Sequence, residues 1–558
     1  MTLLSPVNRM RSAVADFIRS HPLITLFLIG GFVSFVGISN ELWTPDEPRD
    51  AAIGMAMWAS GDWIIPRLNG APFLEKPPLY WWVQSSVFAM FGRATPTLSR
   101  LPSALFGFMS LLLTYALGRR FFSAKTCLVG CLILLSTALF SLTTHWIVVD
   151  TALLFAVTGA WALFAHAETR DGAARQFTLL GMYAFLAIAF LTKGVVGLGI
   201  PALGMGVYLL WDRRLGRFLG WHMVVGGGLI AGAAALWLWL LWREGGRASL
   251  ETFLVYNQLG RFFPDAETYR GGHVRPIWYY FLNTPADLLP WTPFVLLAAL
   301  SAWRNWQRLP DAHRDGLRLC VSGTLPVFLA LSLAGTKRGM YLLPIFPLIA
   351  LFVASWATSA EQQQGWESKL ERGWEIFLIA CAVLSPAAIF LAPSSWPFWL
   401  GSVAVLFTFL YLLKFPPPAE REARLLGTAL LVCLAIGNLS ITVRPFVDRF
   451  KSFVPFVRQL EKHVSLATPV YAFRPDETTL GVVNFYTGRH LTEIALEQLK
   501  TMGRESKPIS LIVRDTKRTG GNYGEIVKAG ISHRLLSEQV VGDDRTMRIL
   551  TVGDNFRP

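Results

Sequence analysis

The chain has 558 residues, is 53% hydrophobic and contains 21 Trp, while only 16% of its residues are charged, against about a quarter in soluble domains. Length alone would suggest several soluble domains, but uncharged runs recur along the chain, many near the ~20 residues that cross a bilayer. Most of the protein therefore reads as a helical membrane bundle, and the net charge of +14 needs no nucleic acid to explain it, since loop arginines anchor topology.

In chain order, apolar segments fall at 23–39, 101–118, 127–142, 151–166, 177–191, 194–211, 219–242, 286–303, 319–335, 340–357, 374–392, 396–413 and 425–443. This pattern predicts an all-α polytopic bundle of about thirteen transmembrane helices. No small-residue cleavage site follows the first segment, so it reads as a span rather than a signal peptide. The stretch around 79–92 is short and aromatic, which predicts a helix lying in the interface. Basic residues orient the bundle: Arg9, Arg11 and Arg19; Arg119, Arg120 and Lys125; Arg170 and Arg175; Arg213, Arg214 and Arg217; Arg304, Arg308, Arg314 and Arg318; Lys369 and Arg372; Lys414, Arg421 and Arg424. All of these fall on one side, which the positive-inside rule makes cytoplasmic.

The opposite side carries two long loops, 40–100 and 243–286, and the short turns HWIVVD, LTKG and GTKRGM. The first loop opens with TPDEPRDA at 44–51, where Pro45 and Pro48 bracket the pair Asp46 and Glu47 and limit its backbone freedom. The helix-compatible AAIGMAMWA follows, which sets Asp46 near a helix N-terminus, where a carboxylate is stabilised by ~0.3–1 kcal/mol. Lys193 in LTKG, and Lys337 and Arg338 in GTKRGM, run against the positive-inside trend, as expected of cations with a local task such as anion binding. The centres of the spans hold almost no ionisable residue. Ion paths and proton relays need such charges and many transporters show internal repeats; the lack of both argues against transport and places the chemistry on the outer face.

Beyond Val443 the composition becomes charged and mixed. Candidate strands at 469–474, 509–513 and 547–552 alternate with helical patterns at 447–463 and 495–502, predicting a small α/β domain. The expected organisation is a membrane domain over 1–443 and an outer domain over 444–558, an odd span count placing the latter beside the long loops. The five cysteines lie in or beside spans and read as small apolar residues. Cys127 and Cys131 share a helix face but have no nearby His or further Cys to complete a zinc site.

Taken together, TPDEPRDA, SGDWIIPRLNG and FLEKPPLYWW resemble the lipid-linked-sugar glycosyltransferases of the GT-C class, and within it the bacterial aminoarabinose transferases that modify lipid A. That family has an acidic pair after its first span, then a G-D-W-[I/V]-P segment and an F-E-K-P motif. VVD at 148–150, LTKG at 191–194, RPIWYY at 275–280 and the K-x-x-x-Y of 337–341 match it further. The resemblance spans residues 40 to about 350, with all its motifs on one membrane face. In YNQLGRF at 256–262 the chain departs from the family, which tends to have a histidine before the arginine.

The resemblance implies that a sugar passes from undecaprenyl phosphate to lipid A or another envelope acceptor, with inversion, at the periplasmic face of the bacterial inner membrane. The leaving lipid phosphate needs cationic or hydrogen-bonding partners where charge develops, a role suited to Lys76, Arg261, Lys337, Arg338 and Tyr341. Prolines flank Lys76 in EKPP and restrict its backbone; each of these cations can instead meet lipid headgroups. Asp46, with Glu47 beside it, is the implied catalytic carboxylate. A base suits a hydroxyl acceptor, whereas toward a phosphate acceptor Asp46 can position the acceptor, ligate a metal or hold the sugar's amine. Asp150 is a second candidate and equally a helix N-cap. Glu75 and His273 are of the types that can share a divalent metal ion. The alternatives are a protein O-mannosyltransferase-like enzyme, a lipid-linked-sugar flippase, and a scaffold binding envelope proteins.

Overall fold

In lipid every backbone amide must be satisfied within the chain, so the long uncharged runs become helices. The computed structural model describes residues 16–18, 20–43, 46–211, 213–260, 273–359, 365–385, 421–502, 508–516, 521–542 and 544–553. Among them, seven helices are long and apolar enough to cross a membrane, or nine if each of two bent pairs counts once. The expected thirteen spans are thus not all present as such. The segment at 396–413 lies outside the described residues, and that at 374–392 is described only as far as 385. The first and sixth segments appear as the shorter apolar helices Pro22–Phe35 and Val195–Trp211.

The chain divides into two compact units. The first comprises Met1–Gly37, Glu75–Leu79 and Ser103–Val443. Its principal helices in chain order are α1 (Pro22–Phe35), α4 (Pro96–Gly118), α5 (Ala124–Ser136), α6 (Ala138–Thr144), α7 (Asp150–Ala167), α8 (Gly172–Lys193), α9 (Val195–Trp211), α10 (Trp221–Glu251), α11 (Tyr279–Asp287), α12 (Thr292–Asn305), α13 (Asp311–Leu333), α14 (Phe346–Ala357), α15 (Trp366–Leu384) and α16 (Arg421–Lys451); the start of α4, up to Pro102, and the end of α16, from Arg444, belong to the second unit, as do the two helices numbered between α1 and α4. Small residues let these helices approach closely, as is usual in membranes. Where α9 meets α13, a Cβ on Gly204 would lie 2.9 Å from the Cα of Gly323 and 2.7 Å from the Trp161 ring.

Two predicted spans are broken. The run 127–142 bends by 70° between α5 and α6, and 286–303 gives way to α11 and α12, bent by 105°. At the first break Thr137 adopts an extended backbone and its hydroxyl returns to Leu134 O at 2.8 Å, the local competition with the helix ladder that Ser and Thr offer. At the second, Pro290 has no N–H to donate. The breaks satisfy each other: Ala138 N–H donates to Leu289 O at 2.7 Å, and Trp291 Nε1 donates to the Ser136 hydroxyl at 2.9 Å. The expected loop at 243–286 is also partly helical. Helix α10 continues past Gly246 (φ 68°) to Glu251, and a π-helix follows over Thr252–Leu259. The charged, glycine-containing REGGR at 243–247 ends the apolar run, and the non-helical backbone at Gly246 (ψ −173°) breaks the helix there into two kinked pieces.

The second unit comprises Ile38–Leu74, Tyr80–Pro102 and Arg444–Pro558, so the first outer loop folds with the C-terminal residues. It holds α2 (Glu47–Ser60), the β1–β2 hairpin (Arg67–Leu68, Ala71–Pro72) and α3 (Leu79–Phe91), then α17 (Val454–His463), β3 (Val470–Phe473), α18 (Glu477–Thr487), β4 (Leu491–Ile494), α19 (Leu496–Met502), β5 (Ile509–Thr516), α20 (Asn522–Lys528), β6 (His533–Val541) and β7 (Arg545–Val552). The five-stranded sheet runs β4-β3-β5-β7-β6, with β3 parallel to β4 and β5 and the remaining pairs antiparallel. Its core gathers Phe473, Leu499, Leu511, Val513, Ile526, Leu550 and Val552. A mixed α/β domain was the expectation; β4, β6, α18 and α20 come in addition to it.

Candidate functional site

Within the membrane unit, Glu75, Lys76, Lys193, Val196, Asn257, Gln258, Leu331, Ala334, Thr336 and Tyr341 line a narrow cleft of about 50 Å³. Each wall has a sequence reason. Proline-flanked EKPP cannot continue a helix, and Gly194 ends α8 with φ 63°, so that Gln258 Oε1 can accept the Val195 N–H at 3.1 Å. A Cβ on Gly194 would lie 2.1 Å from that Gln258 oxygen.

Lys76 is 9% exposed and makes no hydrogen bond or ion pair among the described residues, although it faces this cleft. Lys193 is held on two sides: its ammonium pairs with the buried Asp150 carboxylate and lies 4.0 Å from the centre of the Tyr341 ring. Asp150 is the first residue of α7, with Val149 as N-cap, so its carboxylate serves Lys193 rather than capping the helix. Lys337 is buried and donates to the carbonyls of Arg275, at 2.9 Å, and Ala334, while its N–H meets His273 O at 3.0 Å. Burial lowers the Lys337 pKa; here the side chain helps clamp residues 273–275 to the GTKRGM turn, beside the isolated bridge of Val274 to Thr336. Arg338 accepts Tyr280 O–H at its carbonyl, at 3.2 Å. Arg261 lies outside the described residues.

Glu75 lines the same cleft, and His273 sits at the start of the Lys337 clamp. Among the described residues no group of three or more His, Cys, Asp or Glu is placed to hold a metal ion, so no chemical step is built on one.

The acidic pair lies in the second unit, each residue with its own partners. Asp46 immediately precedes α2 as its N-cap residue and is 8% exposed; its Oδ1 is 3.1 Å from Arg49 Nη2. Glu47 accepts from Arg100 at both oxygens, 2.6 Å each, and from Trp43 N–H at 2.8 Å. Arg100 is fully buried and also donates to the carbonyls of Ile38 at 3.2 Å, Asn40 and Glu41 at 2.6 Å. Asp50 pairs with Arg49 at 2.9 Å. Sequence reasoning left Lys193, Gln258 and Thr336 out of the site. For Lys193 the signal was present, a cation against the positive-inside trend; for the two neutral residues there was none.

Residues 75–243 match the family model described as dolichyl-phosphate-mannose-protein mannosyltransferase. The chain is 30% identical over 336 residues to the undecaprenyl phosphate-α-4-amino-4-deoxy-L-arabinose arabinosyl transferase of Pseudomonas aeruginosa strain LESB58, covering 59% of this chain and 58% of that one. It is 28% identical over 412 residues to the protein of the same name from Shewanella sediminis, covering 72% and 68%. The match thus spans well under two thirds of the Pseudomonas protein's length. In fold, the crystal structure of ArnT from Cupriavidus metallidurans bound to undecaprenyl phosphate superposes with a TM-score of 0.72 at 20% identity, covering 96% of this chain and 99% of that one. The chain thus shares its fold with ArnT, and parts of its sequence are similar to the mannosyltransferase family model and to the arabinosyl transferases.

Proposed function

We propose that the protein transfers 4-amino-4-deoxy-L-arabinose, or a related sugar, from undecaprenyl phosphate to a lipid A phosphate at the periplasmic face. The acceptor oxygen forms the new bond to the sugar's anomeric carbon as the bond to the lipid phosphate breaks on the opposite side, which inverts that carbon. The departing electron pair stays on undecaprenyl phosphate. Lys76 carries this reading: it forms no ion pair among the described residues, although Glu75 lines the same cleft; a buried ammonium without a bonded anion is costly, and a lipid phosphate would supply that anion. Lys193, fixed by Asp150 and Tyr341, adds a second cation on the same cleft at little ordering cost during reaction. With a volume of about 50 Å³, against the ~300–1,000 Å³ of drug-sized pockets, the cleft suits the phosphate, leaving the sugar and polyprenyl chain outside it. Arg261, Arg338 and Tyr341 complete the proposed phosphate set, and Lys337 shapes its rim.

Asp46 is assigned the reacting carboxylate's role from the motif order. Toward an anionic lipid A phosphate it orients the acceptor or holds the sugar's ammonium; toward a hydroxyl acceptor, as in the mannosyltransferase reading that the family model favours, it takes the proton. A divalent ion at Glu75 and His273 is the weaker proposal, tested by EDTA: loss of transfer, restored by Mg²⁺ or Mn²⁺, would support it.

The decisive measurement is mass spectrometry of lipid A from cells with and without the gene, combined with Lys76 variants. Lys76→Ala should weaken undecaprenyl-phosphate binding by ~1.5–3 kcal/mol, the value of a charge-assisted contact, and abolish most transfer. Lys76→Arg should restore little, because a forked guanidinium does not replace a compact ammonium at a narrow site. Unchanged lipid-phosphate affinity in Lys76→Ala would remove this residue from the site.

A further inference from the structure

Helix α2, which begins at the Asp46 cap, and helix α18 of the C-terminal residues cross at a point where neither can yield. A Cβ on Gly481 would lie 2.5 Å from both the carbonyl carbon and oxygen of Pro48 and 2.6 Å from Arg49 N. These are backbone atoms of the first turn of α2, so a larger residue at 481 must push that turn, and Asp46 with it.

A second contact joins the same two helices. Arg49 is 7% exposed at its side chain and directs its guanidinium at three carboxylates: Asp46 at 3.1 Å, Asp50 at 2.9 Å and Glu477 at 2.8 Å. Phe73 lies beneath it, with 5.3 Å between ring centre and guanidinium carbon. Glu477 is the first residue of α18 and lies 428 positions from Arg49. It takes Nη1, which leaves Nη2 for Asp46 and Asp50. A planar fork with one prong fixed cannot swing without breaking the other contacts.

We infer that the C-terminal domain is a positioning element for the acidic pair: Gly481 sets the depth of the Asp46 turn, and Glu477, acting through Arg49, sets the direction of the Asp46 carboxylate. This rests on the proposed role of Asp46 in transfer and gives the domain a part in the reaction without contact to either substrate. Glu477 is a positioning residue, half-exposed at 49% of its side chain, so its removal should leave folding intact.

The test is transfer kinetics with the full-length protein in lipid nanodiscs, using Glu477→Gln, Gly481→Ala and Arg49→Lys, with Asp46→Asn run in parallel. Displacing a reacting group by about 1 Å can cost ~100-fold in rate, so kcat should fall about 10- to 100-fold in Gly481→Ala and by a smaller factor in Glu477→Gln. The KM for the undecaprenyl-phosphate donor should change less than about twofold, since the cations of the phosphate cleft are untouched. Glu477→Asp, which can still accept from Arg49, should recover part of the loss. Arg474→Gln, which removes the exposed Arg474–Glu525 pair of the same domain, should behave as wild type. If Asp46→Asn abolishes transfer while Glu477→Gln and Gly481→Ala keep wild-type kcat, the positioning role is overturned and the role of Asp46 stands. If Asp46→Asn itself retains wild-type transfer, the role of Asp46 falls and the positioning role with it.

Discussion

Arg100 shows how a residue's surroundings decide its role. It has no solvent exposure, yet both Glu47 oxygens and three backbone carbonyls receive its N–H groups. A buried, fully hydrogen-bonded pair of this kind is costly to break from one side, because the remaining charge is stranded. Arg100→Met should therefore destabilise the protein by ~3–5 kcal/mol, seen as a lower unfolding temperature and poor recovery from membranes. Arg100→Met combined with Glu47→Leu should recover part of that loss; equal stability of the single and double variants would mean that Glu47 is not stranded. Glu47 was legible in the sequence as half of an acidic pair, but its structural duty was not, since the partner lies 53 positions away. Asp150 had the same ambiguity, resolved by a lysine 43 positions on. A sequence shows which residues carry charge; it does not show which charges face each other.

At the scale of elements, apolar length carried most of the reading, and its failures have local causes. Hydropathy averaged over a span cannot detect a 70° or 105° bend that a few side chains create, as at Thr137 and Pro290. In the C-terminal domain, β3 was visible as the short apolar run VYAF and β5 and β7 as runs rich in Ile, Leu and Val. Strand β4 has only four residues, and β6 is an edge strand whose burial alternates irregularly, so neither stands out from its neighbours. Helix α18 was also missed, although Asp476 caps it, Oδ1 accepting Thr479 N–H at 2.9 Å. Asp476 further receives Arg545 at 3.0 and 2.8 Å and Arg514 at 3.1 Å. Burial pushes its carboxyl up, but the Arg545 contacts, with those of Thr479 and Arg514, outweigh burial and hold it below the usual carboxylate range. A folded value below the unfolded one means that this group's stabilisation is complete above the unfolded value of ~3.9 and is lost as pH falls through the lower folded value. Asp476→Asn should cost ~1–3 kcal/mol near neutral pH, and the gap to wild type should shrink as pH drops below about 4. Thermal unfolding from pH 7 to 3 checks this; a gap constant with pH would detach Asp476 from the arginines.

For the whole molecule, the grouping of the first outer loop with the C-terminal domain constrains topology in a way hydropathy does not. Asn69 Oδ1 accepts Leu491 N–H at 2.7 Å and its Nδ2 donates to Leu491 O at 2.8 Å, which ties the loop hairpin to the start of β4. Tyr486 O–H donates to Glu41 at 2.7 Å, and Asp448 accepts Trp43 Nε1 at 2.6 Å. Residues so joined must occupy one side of the membrane, so the chain between 102 and 444 must cross it an even number of times. The twelve apolar segments from 101–118 to 425–443 meet that parity. An odd count is excluded even though bent helices leave the number of full crossings open. The arginine-bearing loops should then face the other side, cytoplasmic by the positive-inside rule. In a Cys381→Ser background, which removes the exposed native thiol, Ala71→Cys and Lys528→Cys should both react with a membrane-impermeant maleimide added from the periplasmic side, and Thr169→Cys should react only after the membrane is permeabilised. Labelling of positions 71 and 528 from opposite sides would break the shared unit. Labelling of both together with position 169 would leave that unit standing and instead place an odd crossing error between 102 and 169.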